Sequence, residues 1–290
     1  MKAESSIPLP IPLPDTALQK GYAMKNYLVK PGSKVSLDKW DTDGKSDMPF
    51  GKEKAKSKLK ELVADLRKLQ CVLYAEHKHK LLVILQAMDT AGKDSTIRHV
   101  FTGVNPQGVR VASFKAPTQE ELDHDYLWRV HRKTPARGEI AIFNRSHYED
   151  VLVVKVHSLV PPEVCKSRYS QINDFERMLS EEGTTIIKFF LHIDGKEQKR
   201  RIKARLDDPK KSWKFSEDDL KERKFWDDYQ KAYAEALSLT STVWAPWHII
   251  PANEKWCRNL LVTSVIVDKL KKLGMEYPKP AKGLSKITVK

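Results

Sequence analysis

The sequence predicts an α/β fold, a five-stranded parallel sheet covered by helices on both faces, and three observations predict it. Five short apolar runs punctuate the chain: "LLVILQ" (81–86), "VRVASF" (109–114), "EIAIF" (139–143), "TTIIKFFLHI" (184–193) and "WHIIPA" (247–252). A short run that is largely apolar throughout fits a strand buried on both faces. Helical patterns lie between the runs, and strands alternating with helices imply right-handed crossovers and a parallel sheet. With 290 residues the chain is long enough to close one large core of this kind.

Each element has its own signal. Residues 1–50 carry Pro8, Pro10, Pro12, Pro14, Pro31 and Pro49 with no sustained period. They predict an extended arm on the domain or on a neighbouring subunit, with disorder as the alternative. From Lys52, the residues Ala55, Leu59, Leu62, Val63, Leu66, Leu69 and Leu73 share one helical face, with lysines between them. Thr118 and Glu121 form a capping-box pair before a helix over "LDHDYLWRVHRK". "PPEVCKSRYSQINDFERMLSEEG" reads as a helix stopping at Gly183. Ser216 opens a single helix over "EDDLKERKFWDDYQKAYAEAL", whose first-turn acids complement the helix dipole. "NEKWCRNLLVTSVIVDKLKKL" closes a domain running over 51–273, and residues 274–290 form a basic tail.

Composition narrows the class. A balance of 52 Lys+Arg against 38 Asp+Glu gives a formal charge of +14, which favours a polyanionic partner. Nucleic acid is not expected, since the chain has no RNP-type, helix-turn-helix or zinc signature. A membrane is not expected either, because no apolar run approaches the ~18 residues of a span. The proline-broken N-terminus lacks the apolar core of a signal peptide. Cys71, Cys165 and Cys257 lie far apart without a C-x-x-C spacing, which fits a reducing cytoplasm.

The chemistry concentrates in three places. After the first strand, Ala87-Met-Asp-Thr-Ala-Gly-Lys93 resembles a phosphate loop that has Ala87 where glycine is usual and Asp94 where a hydroxyl is usual. Amides around Ala91, Gly92 and Lys93 can converge on phosphate oxygens at the positive end of the next helix, and Lys93 adds a mobile charge. Asp89 would repel phosphate unless a metal or a proton lies between them, so it reads as a metal-positioning residue or a base. The third strand ends in Asn144-Arg145-Ser146-His147-Tyr148-Glu149-Asp150, where a Walker-B acid would normally hold magnesium. With Asn144 neutral, the carboxylates must come from Asp89, Glu149 or Asp150. Lys196 to Lys214 holds nine Lys or Arg against three acids, with Arg201 and Arg205 on one helical face. Such a segment beside a phosphate loop reads as a lid, over about 196–222. His77, His79, His147 and His157 read as surface or packing residues, and Trp226, Trp244, Trp247 and Trp256 as core.

These motifs together resemble the family-2 polyphosphate kinases. The likeness runs from about Lys52 to Leu273 through "QAMDTAGKDSTI", "FKAPTQEELDHDYLWRVH", "PARGEIAIFNRSHYEDVLV" and "RLDDPKKSWKFSEDD". The resemblance implies a P-loop kinase-like three-layer α/β/α fold with a helical lid. It implies reversible, Mg2+-dependent transfer of phosphate from inorganic polyphosphate to AMP or ADP, with Mn2+ as a substitute metal. An ATP-dependent nucleoside monophosphate kinase on the same fold is the alternative. Asp89, Lys93 and Arg145 become the catalytic residues, and Ala91, Gly92, Asp94, Ser95, Arg129, Arg201 and Arg205 the phosphate-binding set. Asn144 and Glu149 would face the nucleotide acceptor, and Asp89 and Glu149 the metal. The partners implied are polyphosphate and AMP, ADP and ATP, in a cytoplasmic homo-oligomer, a dimer or tetramer. Where the common family motif reads Asp-Arg-Ser this chain has Asn144-Arg145-Ser146, and it has Glu149 where many members have asparagine. Both departures look like the subgroup that accepts AMP as well as ADP.

Overall fold

The computed structural model describes residues 27–48, 50–210 and 212–280. Its five strands are β1 (Lys80–Ala87), β2 (Val109–Ser113), β3 (Ile140–Asn144), β4 (Thr184–His192) and β5 (Trp247–Pro251). They form one sheet in the order β2-β3-β1-β4-β5, every pair parallel. All five expected strands are present. The helices among the described residues are α1 (Lys52–Glu76), α2 (Lys93–Val100), α3 (Gln119–Leu122), α4 (Trp128–His131) and α5 (Val153–Val156). They continue with α6 (Pro162–Glu181), α7 (Gly195–Leu206), α8 (Glu217–Arg223), α9 (Trp226–Thr240) and α10 (Lys255–Lys272).

The alternation along β1 makes the layers. Leu81, Val83 and Leu85 join the cluster that contains the apolar faces of α1 and α10. Leu82 and Ile84 join the opposite cluster, with α6 and α9. Each of these side chains is 0–1% exposed, so each withdraws ~1.5–3 kcal/mol worth of apolar surface from water. The central strand therefore holds both faces, and its carboxyl end delivers Ala87 to the loop.

Residues 27–48, within the expected arm, lie along the β5 edge. Val29 N donates to Trp247 O at 2.9 Å, and Leu28 makes an antiparallel bridge with His248. Val29, Val35 and Leu37 are buried in the α6–α9 cluster, while Tyr27 and Met48 join the other. Covering an edge in this way removes a template for unwanted strand pairing. The rest of the expected arm (1–26) and the end of the basic tail (281–290) lie outside the described residues.

Two helices expected as continuous are broken. The capping box of Thr118 and Glu121 is present, but α3 ends at Leu122. Asp125 then accepts from Leu127 N at 2.9 Å, a local aspartate turn that competes with the helix ladder. Ser216 caps α8, yet the chain turns at Lys224–Phe225 before α9 begins. Trp226, at the turn, packs against both clusters. The break lets α9 lie on the sheet while α8 carries its acids toward the loop. No helix among the described residues is long and apolar enough to cross a membrane.

Candidate active site

The missing glycine of the loop has a conformational explanation. Ala87 is the last residue of β1, 4% exposed and extended, so nothing at that position requires left-handed backbone. The left-handed residues come later, at Thr90 (φ 66°) and Gly92 (φ 104°). At Gly92 a Cβ would be strained and would strike the guanidinium of Arg258, so glycine is required there. Ser95 Oγ and Thr96 Oγ1 both donate to Gly92 O, at 2.9 and 3.0 Å, and fix the loop onto the first turn of α2. Lys93 folds back over the loop, its Nζ donating to Ala87 O at 2.9 Å. Burial lowers the pKa of this ammonium, opposed by Asp89, Glu149 and Asp94, with Arg145 adding to the lowering.

The two unusual positions, Asp94 and Asn144, meet. Asn144 Nδ2 donates to Asp94 Oδ1 at 2.7 Å. The carboxylate that the strand end lacks thus enters from the first turn of α2. Arg145 follows with φ 63°, its N donating to Leu85 O at 3.2 Å. A non-glycine residue there costs of order 1–3 kcal/mol, and such strain clusters at functional sites. From that backbone the guanidinium reaches Asp89 Oδ1 at 3.0 Å. Desolvation works against the charge of Arg145, but Glu149 and Asp89 hold its pKa above the ordinary value.

Ser146 accepts from Tyr148 N and opens the tight turn over His147–Val151 that carries Glu149. Below it lies a buried polar cluster. Glu176 Oε1 accepts from Tyr148 OH at 2.9 Å and contacts His147 Nε2 at 3.2 Å. Lys188 Nζ donates to Glu176 Oε2 at 2.6 Å and to Tyr148 OH at 2.8 Å. Glu149 itself lines the cavity. Burial raises its pKa, opposed by Arg145, Lys93 and Gln86, while Asp89 adds to the rise.

A cavity of about 250 Å³ brings the loop, the β3 end, α7, α8 and α9 together. Ala87, Met88, Asp89, Arg145 and Glu149 form its floor. Asp218, Asp219 and Glu222 of α8, inside the segment expected as a lid but with no role expected of them, and Tyr229 and Tyr233 of α9 form a wall. Gln198 of α7 links α8 to the loop, its Nε2 donating to Asp89 O at 3.2 Å and its Oε1 accepting from Arg223 at 2.6 Å.

The expected arginines divide. Arg145 lines the cavity, and Arg205 is paired with Asp219 Oδ2 of the cavity wall at 2.8 Å. Arg201 is 8% exposed, with Nη1 donating to Thr90 O and Ala91 O and Nη2 to Ala252 O and Asn253 O. It grips the loop from behind rather than sharing a solvent face with Arg205. Arg129 is also 8% exposed, donating to Lys115 O at 2.8 Å and Glu121 Oε2 at 3.3 Å, and acts as a strut beside the site. The last helix adds Arg258, which donates to Ala91 O at 3.1 Å and Ser95 Oγ at 3.0 Å. Its signal in the sequence is one arginine inside the apolar stripe "WCRNLLVTSVIV".

Among the described residues, no three of His, Cys, Asp and Glu gather closely enough to hold a metal by themselves. The donors still fit a hard divalent cation. Asp89 and Glu149 place carboxylate oxygens on one cavity, and Mg2+ is normally held by one or two carboxylates plus substrate phosphate.

The family model described as "Polyphosphate kinase 2 (PPK2)" matches residues 50–278. The AMP/ADP-polyphosphate phosphotransferase of Meiothermus ruber is 55% identical over 266 residues, covering 92% of this chain and 100% of that one. The ADP-polyphosphate phosphotransferase of Rhodopseudomonas palustris is 46% identical, covering 88% and 92%. The crystal structure of polyphosphate kinase 2 from Arthrobacter aurescens superposes with a TM-score of 0.85 at 46% identity, covering 88% and 92%. With the loop and the β3 motif on one cavity, and a family match over residues 50–278, the chain belongs to the polyphosphate kinase 2 family.

Proposed function

We propose that this enzyme transfers a phosphoryl group between inorganic polyphosphate and adenine nucleotides, making ADP from AMP and ATP from ADP. The observation that carries the reading is the convergence of Asp89, Arg145 and Glu149 on one cavity beside Lys93. The names of the relatives, which act on AMP and ADP, support the acceptor class.

Transfer of this kind is mostly positioning and charge neutralisation around an in-line phosphoryl group. Lys93 and the loop amides hold the donor phosphates at the α2 N-terminus, where the helix dipole adds positive charge. Arg145, kept cationic by Glu149 and Asp89, sits where charge spreads over the transferring group's oxygens. Asp89 and Glu149 would hold Mg2+, which when bound would neutralise phosphate charge. Asp89 Oδ1, 3.0 Å from Arg145, keeps that guanidinium aimed at the donor. Gln198 couples lid position to the loop, so lid closure and exclusion of water go together. The three buried or exposed thiols, unpaired in the structure, support a reducing cytoplasm as the working compartment.

The test supplies polyphosphate with AMP and, separately, with ADP, and follows ADP and ATP formation. Both acceptors should be phosphorylated with Mg2+ present. Product formed with ATP as the donor to AMP, and none with polyphosphate, would replace this reading by that of an ATP-dependent nucleoside monophosphate kinase.

A further inference from the structure

Two buried guanidinium groups meet behind the phosphate loop. Arg201 Nη1 and Arg258 Nη1 donate to the same oxygen, Ala91 O, at 2.8 and 3.1 Å. Arg201 has its own counter-ion, Glu197 Oε1 at 2.6 Å from Nε. Arg258 is 0% exposed, and its partners are Ala91 O, Ser95 Oγ and Asn259 Oδ1, all neutral. Burial and the neighbouring Arg201 push its pKa down to about 9, which still leaves it cationic at neutral pH. A buried charge without a counter-charge is expensive, several kcal/mol in real proteins, and is expected where an anion later supplies the balance.

The geometry of the peptide points the same way. Ala91 O and the Gly92 N–H belong to one planar trans peptide and so point in opposite directions. With the oxygen held from behind by two cations, the N–H is turned away from them, toward the phosphate side of the loop. The same cations polarise the peptide and strengthen its donor. Gly92 has no Cβ, which is what lets Arg258 pack directly beneath the turn.

We infer that Arg258 is a positioning residue whose missing counter-charge is the polyphosphate bound in the loop. It orients the Gly92 amide and stabilises the bound anion through the peptide, without touching it. The inference rests on the loop's being the polyphosphate site, and the test separates the two. Thermal unfolding of the full-length enzyme is measured with and without inorganic tripolyphosphate, for the wild type, Arg258→Lys and Arg258→Gln. The wild type should gain several degrees. Arg258→Lys, which keeps the charge, should retain at least half of that gain. Arg258→Gln, which keeps hydrogen bonding but not charge, should lose most of it, with the polyphosphate KM rising ~tenfold and the AMP KM little changed.

Equal tripolyphosphate gains in all three proteins would overturn the inference and leave Arg258 as a packing residue. Loss of the gain in Arg258→Lys would overturn it as well, and that arm stands alone if Arg258→Gln does not fold. A wild type that gains nothing from tripolyphosphate would remove the phosphate-loop reading itself.

Discussion

At the scale of single residues, the site works by placing a few charges against a large desolvation cost. Lys93 and Asp89 are the sharpest cases. Lys93→Ala removes the cation that spans the loop, and turnover should fall by about a hundredfold or more, ~3 kcal/mol of transition-state stabilisation. Asp89→Asn should be comparably damaging, because it releases Arg145 and removes a proposed metal ligand together. Steady-state kinetics on both purified variants check this, with melting curves to show that each is folded. Near-wild-type turnover in either would reject its catalytic role.

Glu149 gives a prediction with two readouts. Burial raises its pKa, so the folded protein binds this proton more tightly than the unfolded chain does. Ionising it therefore costs stability as pH rises from its ordinary value of 4.5 upward, and nothing at lower pH, where both states are protonated. Glu149→Gln should raise the melting temperature of the ligand-free protein at pH 8, with the gain vanishing near pH 4. The same change should depress AMP phosphorylation more than ADP phosphorylation, because AMP lacks the second phosphate by which ADP can be held. Loss of one charge-assisted contact, ~1–2 kcal/mol, would shift the ratio of kcat/KM values about five- to thirtyfold. A variant more stable at pH 8 with an unchanged acceptor ratio would leave Glu149 a buried charge with no part in selectivity.

What was legible at this scale follows from chain locality. Asp89, Lys93, Arg145 and Glu149 lie in two short stretches at the ends of neighbouring strands, so strand assignment alone brings them together. Arg201 and Arg205 share a helical face in the sequence, but only the fold shows that the carbonyls of Thr90, Ala91, Ala252 and Asn253 capture Arg201. Those four oxygens come from two loops far apart in the chain, and no spacing rule reports such a meeting. The Asn144–Asp94 hydrogen bond was hidden for the same reason.

At the scale of elements, the strands were read correctly because burial on both faces leaves a nearly continuous apolar run. The helix breaks were not. The turns at Asp125 and Phe225 interrupt segments whose local propensity is helical, and tertiary packing decided them. The element that holds the β3 motif in place is the pairing of β4 with α6 through Lys188 and Glu176, both 0% exposed. Removing one partner strands the other charge, so Glu176→Gln should cost ~3–5 kcal/mol in equilibrium unfolding. The double replacement Lys188→Met, Glu176→Leu should cost clearly less than the single change, since no charge is left behind. Glu176→Leu removes the acceptor of Tyr148 and His147, and glutamine keeps only a neutral carbonyl oxygen for both, so kcat should fall in both variants while they remain folded at low temperature. A double variant no more stable than Glu176→Gln would mean that the pair stabilises by more than avoiding an orphaned charge.

At the scale of the whole molecule, the formal charge of +14 is not concentrated in the cavity. The cavity is lined by Asp89, Glu149, Asp218, Asp219 and Glu222 against Arg145, a balance suited to a metal and one nucleotide rather than to a long polyanion. The excess positive charge lies outside it, and α7 exposes Lys196, Lys199, Arg200 and Lys203 to solvent beside the cavity. A long polyphosphate chain held there would displace counterions from its own atmosphere as it binds, by the physics known for nucleic acids. The KM for long-chain polyphosphate should therefore rise steeply between about 50 and 200 mM salt, whereas that for tripolyphosphate, which fits within the loop, should rise little. Lys199 and Lys203 stand four apart on one face of α7, and neither contacts the loop in the structure. Reversing both, Lys199→Glu with Lys203→Glu, should raise the long-chain KM and flatten its salt slope while leaving tripolyphosphate turnover near that of the wild type. Parallel kinetics with the two donors over a salt series decide the matter. If the double variant keeps the wild-type slope, the chain leaves the cavity by another surface, and α7 serves only to carry Gln198 and Arg201 to the loop.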